Sequence, residues 1–415
     1  MHVIVVGAGI VGVCSAYELR QAGFDVTVLE RRSGVAQETS FGNAGVVAPG
    51  YATPWAAPGM PRKVLSYLFK KEAPALFRPG ARPAPWRWLV RWLGECRLER
   101  YRVNRARMQR LAFYSRDRLH GLRGRLGIQY EQSQGYLQLL RSERDVALAA
   151  PARALLDETG VPYRMLARDE CHALEPGLAQ ATPLAAGLFL PDDEAGNCPL
   201  FAHALRRAAE DDGVRFRFNS TVNRLIVEGG RLSGVQVNGK PVAADAVVVA
   251  AANDSAPLLA RAGVRIPLYP VKGYSATVTL LAHAIGPQHA LMDEAYKTAI
   301  TPFANRIRIA GTAELGGRDL ALRDAALRTL IKVAGDWFPG AARYSEAQFW
   351  VGARPMLPDG PPLLGTTPVQ GLYLNVGHGS TGWTMACGSA RVVADVVAGR
   401  EPEIALDGLT LERYR

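Results

Sequence analysis

The opening thirty residues restrict the fold more than any other stretch of the chain. His2, Val3, Ile4, Val5 and Val6 form a short apolar run rich in β-branched residues, as a strand buried on both faces of a parallel sheet requires. The chain passes directly into Gly7-Ala8-Gly9-Ile10-Val11-Gly12 and then into a helical spacing carried by Val13, Ala16, Tyr17, Leu19 and Arg20. Asp25 to Leu29 reads as a second strand with the acid Glu30 at its tip. Strand, glycine turn, helix, strand and terminal acid make a dinucleotide-binding unit in its required order. Gly7 permits the tight turn, Gly9 leaves room for a pyrophosphate, and Gly12 lets helix and sheet pack closely. Free amides at the helix start attract phosphate, and Glu30 can accept from a ribose diol while repelling the 2′-phosphate of NADP.

The stretch after Glu30 bears on which dinucleotide is held. Arg31 and Arg32 are followed by Glu38-Thr39-Ser40-Phe41-Gly42-Asn43-Ala44-Gly45, where a simple NAD domain would continue into a third strand and helix. Small residues suit close backbone approach to an extended cofactor such as FAD, with Ser40, Asn43, Ala44 and Gly45 as the candidate contacts. Taken alone, the same residues would also make an ordinary turn.

At 415 residues, 48% of them hydrophobic, the chain can bury a large core and house two domains. Met1 abuts the first strand, so no signal segment is expected ahead of it. No apolar run reaches the roughly 18 residues of a membrane span. Five scattered cysteines (Cys14, Cys96, Cys171, Cys198 and Cys387) lack CxxC spacing, which points to reduced thiols in a cytoplasmic setting and to no metal site. His172, His203, His283 and His289 show no metal spacing, and no Ser–His–acid pattern suggests hydrolysis.

The net charge of +11 is local, because residues 78–125 contain fourteen Arg and no Lys against three acids, Glu95, Glu99 and Asp117. Trp86, Trp88, Leu89, Trp92 and Leu93 interleave there with Arg87, Arg91 and Arg97. Such a helix fits an anionic membrane surface or nucleic acid. It equally fits a solvated face with its tryptophans turned inward.

In chain order, residues 63–71 read as helix, Pro85 to about Leu126 as one long helical region, and Gly135–Leu140 as a strand. Glu143–Thr159 returns to helix, Val161–Leu166 to strand, and Pro191–Asn197 reads as a turn-rich loop. Pro199–Asp212 is helical, Val214–Phe218 a strand, and residues 221–237 a meander leading to the hairpin turn Asn238-Gly239. Ala246–Ala251 is a buried strand that should rejoin the nucleotide sheet, with Ala251 crossing beside the cofactor. Residues 269–351 are mainly strands, interrupted by a helix over Asp324–Trp337. Leu372–Val376 is a strand that runs through Gly377-His378-Gly379-Ser380-Thr381-Gly382-Trp383 into an apolar helix ending near Val397. A second helix N-terminus of that kind can face an electron-rich ring edge.

Together these segments resemble the D-amino-acid oxidase superfamily of flavoproteins, and within it the family of D-amino-acid dehydrogenase small subunits. Residues 38–45, Pro49-Gly50-Tyr51 and Pro54-Trp55-Ala56-Ala57-Pro58-Gly59 look like that family's N-terminal signature. Gly352-Ala353-Arg354-Pro355-Met356, Pro358-Asp359-Gly360-Pro361 and residues 374–389 look like its C-terminal one. The resemblance implies a mixed α/β fold with a discontinuous FAD-binding, Rossmann-like domain (residues 1–50, 190–268 and 352–415). A substrate domain of antiparallel sheet with added helices would hold residues 51–189 and 269–351. It implies tightly bound FAD, oxidation of D-amino acids to imino acids by hydride transfer from Cα to flavin N5, and electron passage to a membrane quinone. The Trp- and Arg-bearing helix would then dock a cytoplasmic protein at the inner face of the membrane, and nucleic acid is not an expected partner. Gly42 and Val46-Val47 depart from the common pattern.

Under that resemblance, Arg354 is the candidate carboxylate clamp, since guanidinium grips carboxylate bidentately. Tyr274 and Tyr51 are candidates for holding the carboxylate or shaping the pocket. His378 would donate to the ring or substrate, or carry positive charge beside the reduced flavin. Cofactor contacts are expected from residues 7–12, Glu30, Arg31, Arg32, Ser40, Asn43, Ala44, Gly45, Val222, Ala251, Gly352, Gly377, Gly379, Ser380, Thr381, Gly382 and Trp383. The same clamp would serve a secondary amino acid such as D-proline, hydroxyproline or sarcosine. A tRNA-acting flavoprotein and a non-catalytic flavin-binding protein are the readings from other classes.

Overall fold

The computed structural model describes residues 1–67, 73–78, 80, 82–317 and 319–414. In chain order the first elements are β1 (His2–Val6), α1 (Ile10–Gln21), β2 (Asp25–Leu29), β3 (Val46–Val47), α2 (Met60–Tyr67), β4 (Ala75–Phe77), α3 (Pro83–Glu95) and α4 (Leu98–Leu126). There follow β5 (Ser133–Leu140), α5 (Glu143–Glu158), β6 (Arg164–Leu166), α6 (Arg168–Leu174), β7 (Ala186–Ala195), α7 (Cys198–Asp211), β8 (Arg215–Arg217), β9 (Val222–Glu228), β10 (Arg231–Val237), β11 (Lys240–Ala243) and β12 (Ala246–Val249). The last are α8 (Ser255–Ala260), β13 (Tyr269–Thr279), β14 (Ala290–Asp293), β15 (Thr298–Phe303), β16 (Arg306–Leu315), α9 (Asp324–Trp337), β17 (Gln348–Met356), β18 (Leu363–Thr366), β19 (Leu372–Val376) and α10 (Gly382–Val397).

Two sheets carry the molecule. The first has strand order β18-β19-β12-β1-β2-β8. Its strands pair in parallel apart from the edge strand β18. As expected of the apolar run at 246–251, β12 lies directly beside β1. One face of this sheet is covered by α1, α7 and α10, and α4 packs on α10. The other face is covered by the β9-β10-β11 meander and α8. The second sheet follows the order β17-β13-β16-β15-β14-β5-β7-β3, with β4 and β6 paired off that path. Side chains alternate across it. Tyr274, Ala276, Ile300, Ile307 and Ile309 face α9, while Tyr136, Leu188 and Ala290 face Ala48 and Tyr51 on the other side.

Several elements differ from the sequence reading, each for a packing reason. The long helical region breaks at Cys96 and Arg97, where Arg97 is extended (φ −88°, ψ 146°). Trp88 and Trp92 of α3 turn into a small cluster with Tyr269, Val271 and Met356, whereas α4 follows α10, so the chain must turn a corner between them. Polar residues made 191–197 look like a turn, yet β7 runs through to Ala195. Glu194 can lie fully buried there because Tyr130, Gln132 and His120 bond its carboxylate. The short strand β14 had no sequence signal of its own. The helix read at 63–71 is α2 as far as Tyr67, and positions 68–71 lie outside the described residues. Residues 46–47, 186–195 and 348–356 all belong to the second sheet, so the divisions at 50, 190 and 352 fall beside or inside strands.

The α9-facing side of β13 holds a buried ion pair, Lys272 Nζ to Glu314 Oε1 at 2.8 Å, with both side chains essentially inaccessible. Tyr274 donates its hydroxyl to the same carboxylate. Removing one partner of such a pair strands the other charge in a dry interior. Lys272→Met should therefore lower unfolding free energy by about 3–5 kcal/mol in a denaturant titration. Lys272→Met combined with Glu314→Leu should recover most of that loss.

Candidate functional site

The first sheet's side of the seam between the two sheets is built by close approach at glycines. A Cβ on Gly12 would lie 1.9 Å from the Gly7 carbonyl oxygen, and one on Gly7, whose φ is +104°, would lie 2.7 Å from that of Ala250. Only bare backbone lets β1, α1 and β12 meet this closely, and Ala251 is brought against Gly7 in the process. A Cβ on Gly9 would meet nothing nearer than Ser40 Oγ at 3.3 Å, so the start of α1 stays open on the side where a phosphate would sit. Ser40 Oγ accepts from the Ile10 amide (3.0 Å), holding the small-residue loop against that helix start. Val11 and Ile10 supply the first turn of α1.

At the tip of β2, Glu30 accepts from the Ala8 and Arg32 amides at 2.7 and 2.8 Å. Arg31 and Arg32 both pair with Glu38, and Arg31 also pairs with Asp254. Their guanidinium groups thus fasten the loop after β2. Val222 opens β9 two residues beyond Ser220, whose amide donates to the Glu30 carbonyl. Asn43 caps the Gly45 amide, and a Cβ on Gly45 would strike Phe303 at 2.4 Å, so Ala44 and Gly45 are pressed to the second sheet. Arg308, which the sequence reading passed over, fixes this loop by donating to the carbonyls of Phe41 and Asn43. Burial pulls its guanidinium down to about 10.

Across the seam lies β17. Arg354 stands opposite Val271, and its guanidinium occupies the space a side chain at Gly273 would need, with Cζ 2.3 Å from where that Cβ would be. It donates to the Lys272 carbonyl at 3.0 Å, and its Cζ lies 5.5 Å from the Trp55 ring centre. Among the described residues no carboxylate pairs with it. Burial alone draws it down to about 10, so it stays cationic at neutral pH. A recessed cation without a counter-charge is a site for an anion. Gly352, in the same strand, lies where a Cβ would collide with the Trp350 ring.

The glycine turn before α10 forms the third wall. Gly377 and Gly379 have φ of +83° and +56° and pack on Leu357 and Met356. Thr381 caps back onto the His378 carbonyl. Gly382 begins α10, whose N-terminus has no side-chain cap. Ser380 accepts from the Trp55 indole N–H at 3.1 Å.

Three site expectations change. Tyr274 is buried on the α9 side with its hydroxyl committed to Glu314, because strand alternation puts it on the opposite face from Gly273 and Arg354. The Trp383 side chain sits in the core between Tyr130 and Phe201, leaving only its backbone at the turn. His378 is 4% exposed and meets Ser389 Oγ at 3.0 Å. With the Ser389 hydroxyl turned to the Ala386 carbonyl at 3.1 Å, Nε2–H of His378 donates to Ser389 Oγ, an arrangement open to either charge state of the ring. Burial pushes it down to about 3, which removes a cationic role. Tyr51 lies on the side of the second sheet away from α9, beside Tyr136 and Ala48. Its hydroxyl donates to Glu294 at 2.9 Å and accepts from Lys297 at 3.2 Å, and burial pushes the phenol well up. Trp55 entered the sequence reading only within the Pro54–Gly59 signature, with no role given to it, and the roles of Trp55 and Gly273 become legible only once the strands are paired.

A glycine-stripped helix start, an acid at the tip of β2 and a second open helix N-terminus across the seam together suit an extended flavin dinucleotide. The chain belongs to the family of FAD-dependent oxidoreductases, whose model, described as "FAD dependent oxidoreductase", matches residues 2–396. FAD is its cofactor. More closely, it is 48% identical over 416 residues to a D-amino acid dehydrogenase of Rhizorhabdus wittichii, with all of both chains covered. It is 47% identical to one of Bradyrhizobium diazoefficiens, covering 100% of this chain and 99% of the relative. Its fold is similar to that of glycine oxidase from Geobacillus kaustophilus, with a TM-score of 0.75, 24% identity, and 99% and 97% of the two chains covered. L-proline dehydrogenase from P. horikoshii shows the same fold, with a TM-score of 0.76, 19% identity, and 100% and 97% covered. Among the described residues no helix is long and apolar enough to cross a membrane, and no group of His, Cys, Asp and Glu could hold a metal ion.

His378 gives the fold a pH signature. A histidine free in the unfolded chain titrates near about 6.5, whereas in the fold it is held to about 3. Its stabilising share is complete above the unfolded value and drains away as pH falls towards the folded one. His378→Asn should flatten the decline in melting temperature between pH 7 and pH 4; an unchanged decline would show that the ring is already accessible to protons.

Proposed function

We propose that this chain oxidises D-amino acids to imino acids, which water then converts to 2-oxo acids, and hands the electrons to an acceptor other than oxygen. The observation that carries the reading is the uncompensated Arg354 guanidinium at the cofactor seam. The relatives named D-amino acid dehydrogenase support it from the sequence side. FAD, when bound, supplies the acceptor for the Cα hydrogen and its two electrons.

The residues themselves do the positioning. Arg354 holds the substrate carboxylate, and two-point binding by its planar fork fixes the direction of the Cα–H bond. No proton need be taken from Cα by a base when hydrogen leaves with its electron pair, so the neutral His378 and the occupied Tyr274 pose no difficulty. Tyr51, tied to Glu294 and Lys297, forms a polar part of the pocket wall, and the positive end of α10 opens at the turn of residues 377–382, which would hold the flavin.

The outer face of α3 supports contact with an anionic membrane, where a quinone would be met. Trp86, Val90 and Leu93 follow one helical stripe and are 48%, 69% and 48% exposed. Arg87 and Arg91 flank them on the same helix, while Trp88 and Trp92 point inward. Exposed apolar residues rimmed by arginine are the composition of an interfacial helix.

Anaerobic mixing with a panel of D- and L-amino acids tests the activity by loss of flavin absorbance. D-enantiomers should bleach the protein and L-enantiomers should not; bleaching by neither would refute the reading. Arg354→Met should raise the half-saturating concentration by roughly thirtyfold or more, matching the lower end of the about 2–5 kcal/mol lost with a buried charge-pair partner. Trp86→Glu together with Val90→Asp should abolish binding to vesicles containing anionic lipid while leaving anaerobic bleaching intact.

A further inference from the structure

The loop carrying Trp55 takes no part in the chemistry described above, yet it closes over the residue on which that chemistry depends. Arg354 is held from three directions: beneath by the missing side chain of Gly273, at one nitrogen by the Lys272 carbonyl, and on its face by the Trp55 indole at 5.5 Å. The indole is itself fixed at both ends. Its N–H donates to Ser380 Oγ at 3.1 Å, on the turn that opens α10, and its body packs in the cluster that Trp88 and Met356 belong to.

We propose that Trp55 is a positioning residue for Arg354, holding the guanidinium by its ring face so that the donor edge stays free for the substrate carboxylate. The choice of an aromatic ring has a chemical reason. A carboxylate beside Arg354 would neutralise the cation and occupy the N–H groups the substrate needs. A π face stabilises the charge without accepting from those N–H groups. The Ser380 bond sets the ring's height, so the guanidinium is registered against the turn that meets the cofactor. This rests on Arg354 as the carboxylate clamp.

The test uses the FAD-loaded protein and benzoate, a carboxylate that cannot be oxidised, with binding followed by the shift in flavin absorbance. D-amino-acid KM and kcat are measured in parallel. Trp55→Leu should weaken benzoate binding and raise KM by tenfold or more, with a smaller change in kcat and no change in FAD retention. Trp55→Phe should recover most of the loss, and Ser380→Ala should fall between wild type and Trp55→Leu. Should Trp55→Leu not fold, fluorinated tryptophans placed at position 55 keep the shape and weaken only the ring's attraction for a cation. Benzoate affinity should then drop stepwise with each added fluorine. Affinity indifferent to fluorination, or wild-type binding by Trp55→Leu, would overturn the proposal. Arg354→Met in the same assay separates the two ideas: wild-type benzoate binding by that variant would remove the clamp itself, whereas loss of binding there with none in the Trp55 variants would remove only Trp55.

Discussion

The proposed function rests on the charge of Arg354, which has no carboxylate partner among the described residues. Desolvation lowers the Arg354 guanidinium to about 10, and among the described residues it meets the Lys272 carbonyl and the Trp55 ring in place of a carboxylate. A recessed cation left in that state costs stability unless an anion arrives to share it. The second sheet is arranged to tolerate it. Lys272 contributes its carbonyl to Arg354 on one face and sends its own ammonium to Glu314 on the other. Alternation along β13 therefore keeps two cations from sharing one face.

The rest of the site follows from how tightly its elements are packed. Gly7, Gly12 and Gly45 are positions where a side chain would overlap a neighbour, and Gly388 of α10 lies where a Cβ would be 2.8 Å from Ser115 of α4. Thr39 and Asn253 donate to the Ala353 carbonyl and Met356 bridges to His378, which brings the first forty-five residues, the strand with Arg354 and the turn at 377–382 to one seam. Arg308 and Trp55 act across that seam as ties, the first holding the loop at Phe41–Asn43 and the second reaching Ser380. Cofactor and substrate walls are thus parts of one packing arrangement.

Much of this could be read from the residues alone where the signal is local. The β1–α1–β2 unit, β19 and α10 announce themselves because strand, glycine turn and helix are adjacent in sequence. Helix α9 and the β12 strand beside β1 were legible from periodicity and from an unbroken apolar run. What the sequence hid was non-local. Tyr274 and Arg354 stand on neighbouring strands, and only the pairing of β13 with β17 shows that they face opposite ways. Burial of Glu194 by Tyr130, Gln132 and His120 turned an apparent loop into strand, and the neutrality of His378 comes from its burial in the assembled fold. Trp55 needed three distant partners before it meant anything.

The most direct measurement is a crystal structure of the FAD-loaded protein grown with a non-oxidisable carboxylate. The account predicts the carboxylate lying in two-point contact with Arg354, between the Trp55 indole and the flavin, with no protein acid nearby. A carboxylate bound elsewhere while Arg354 keeps only its Lys272 and Trp55 contacts would contradict it.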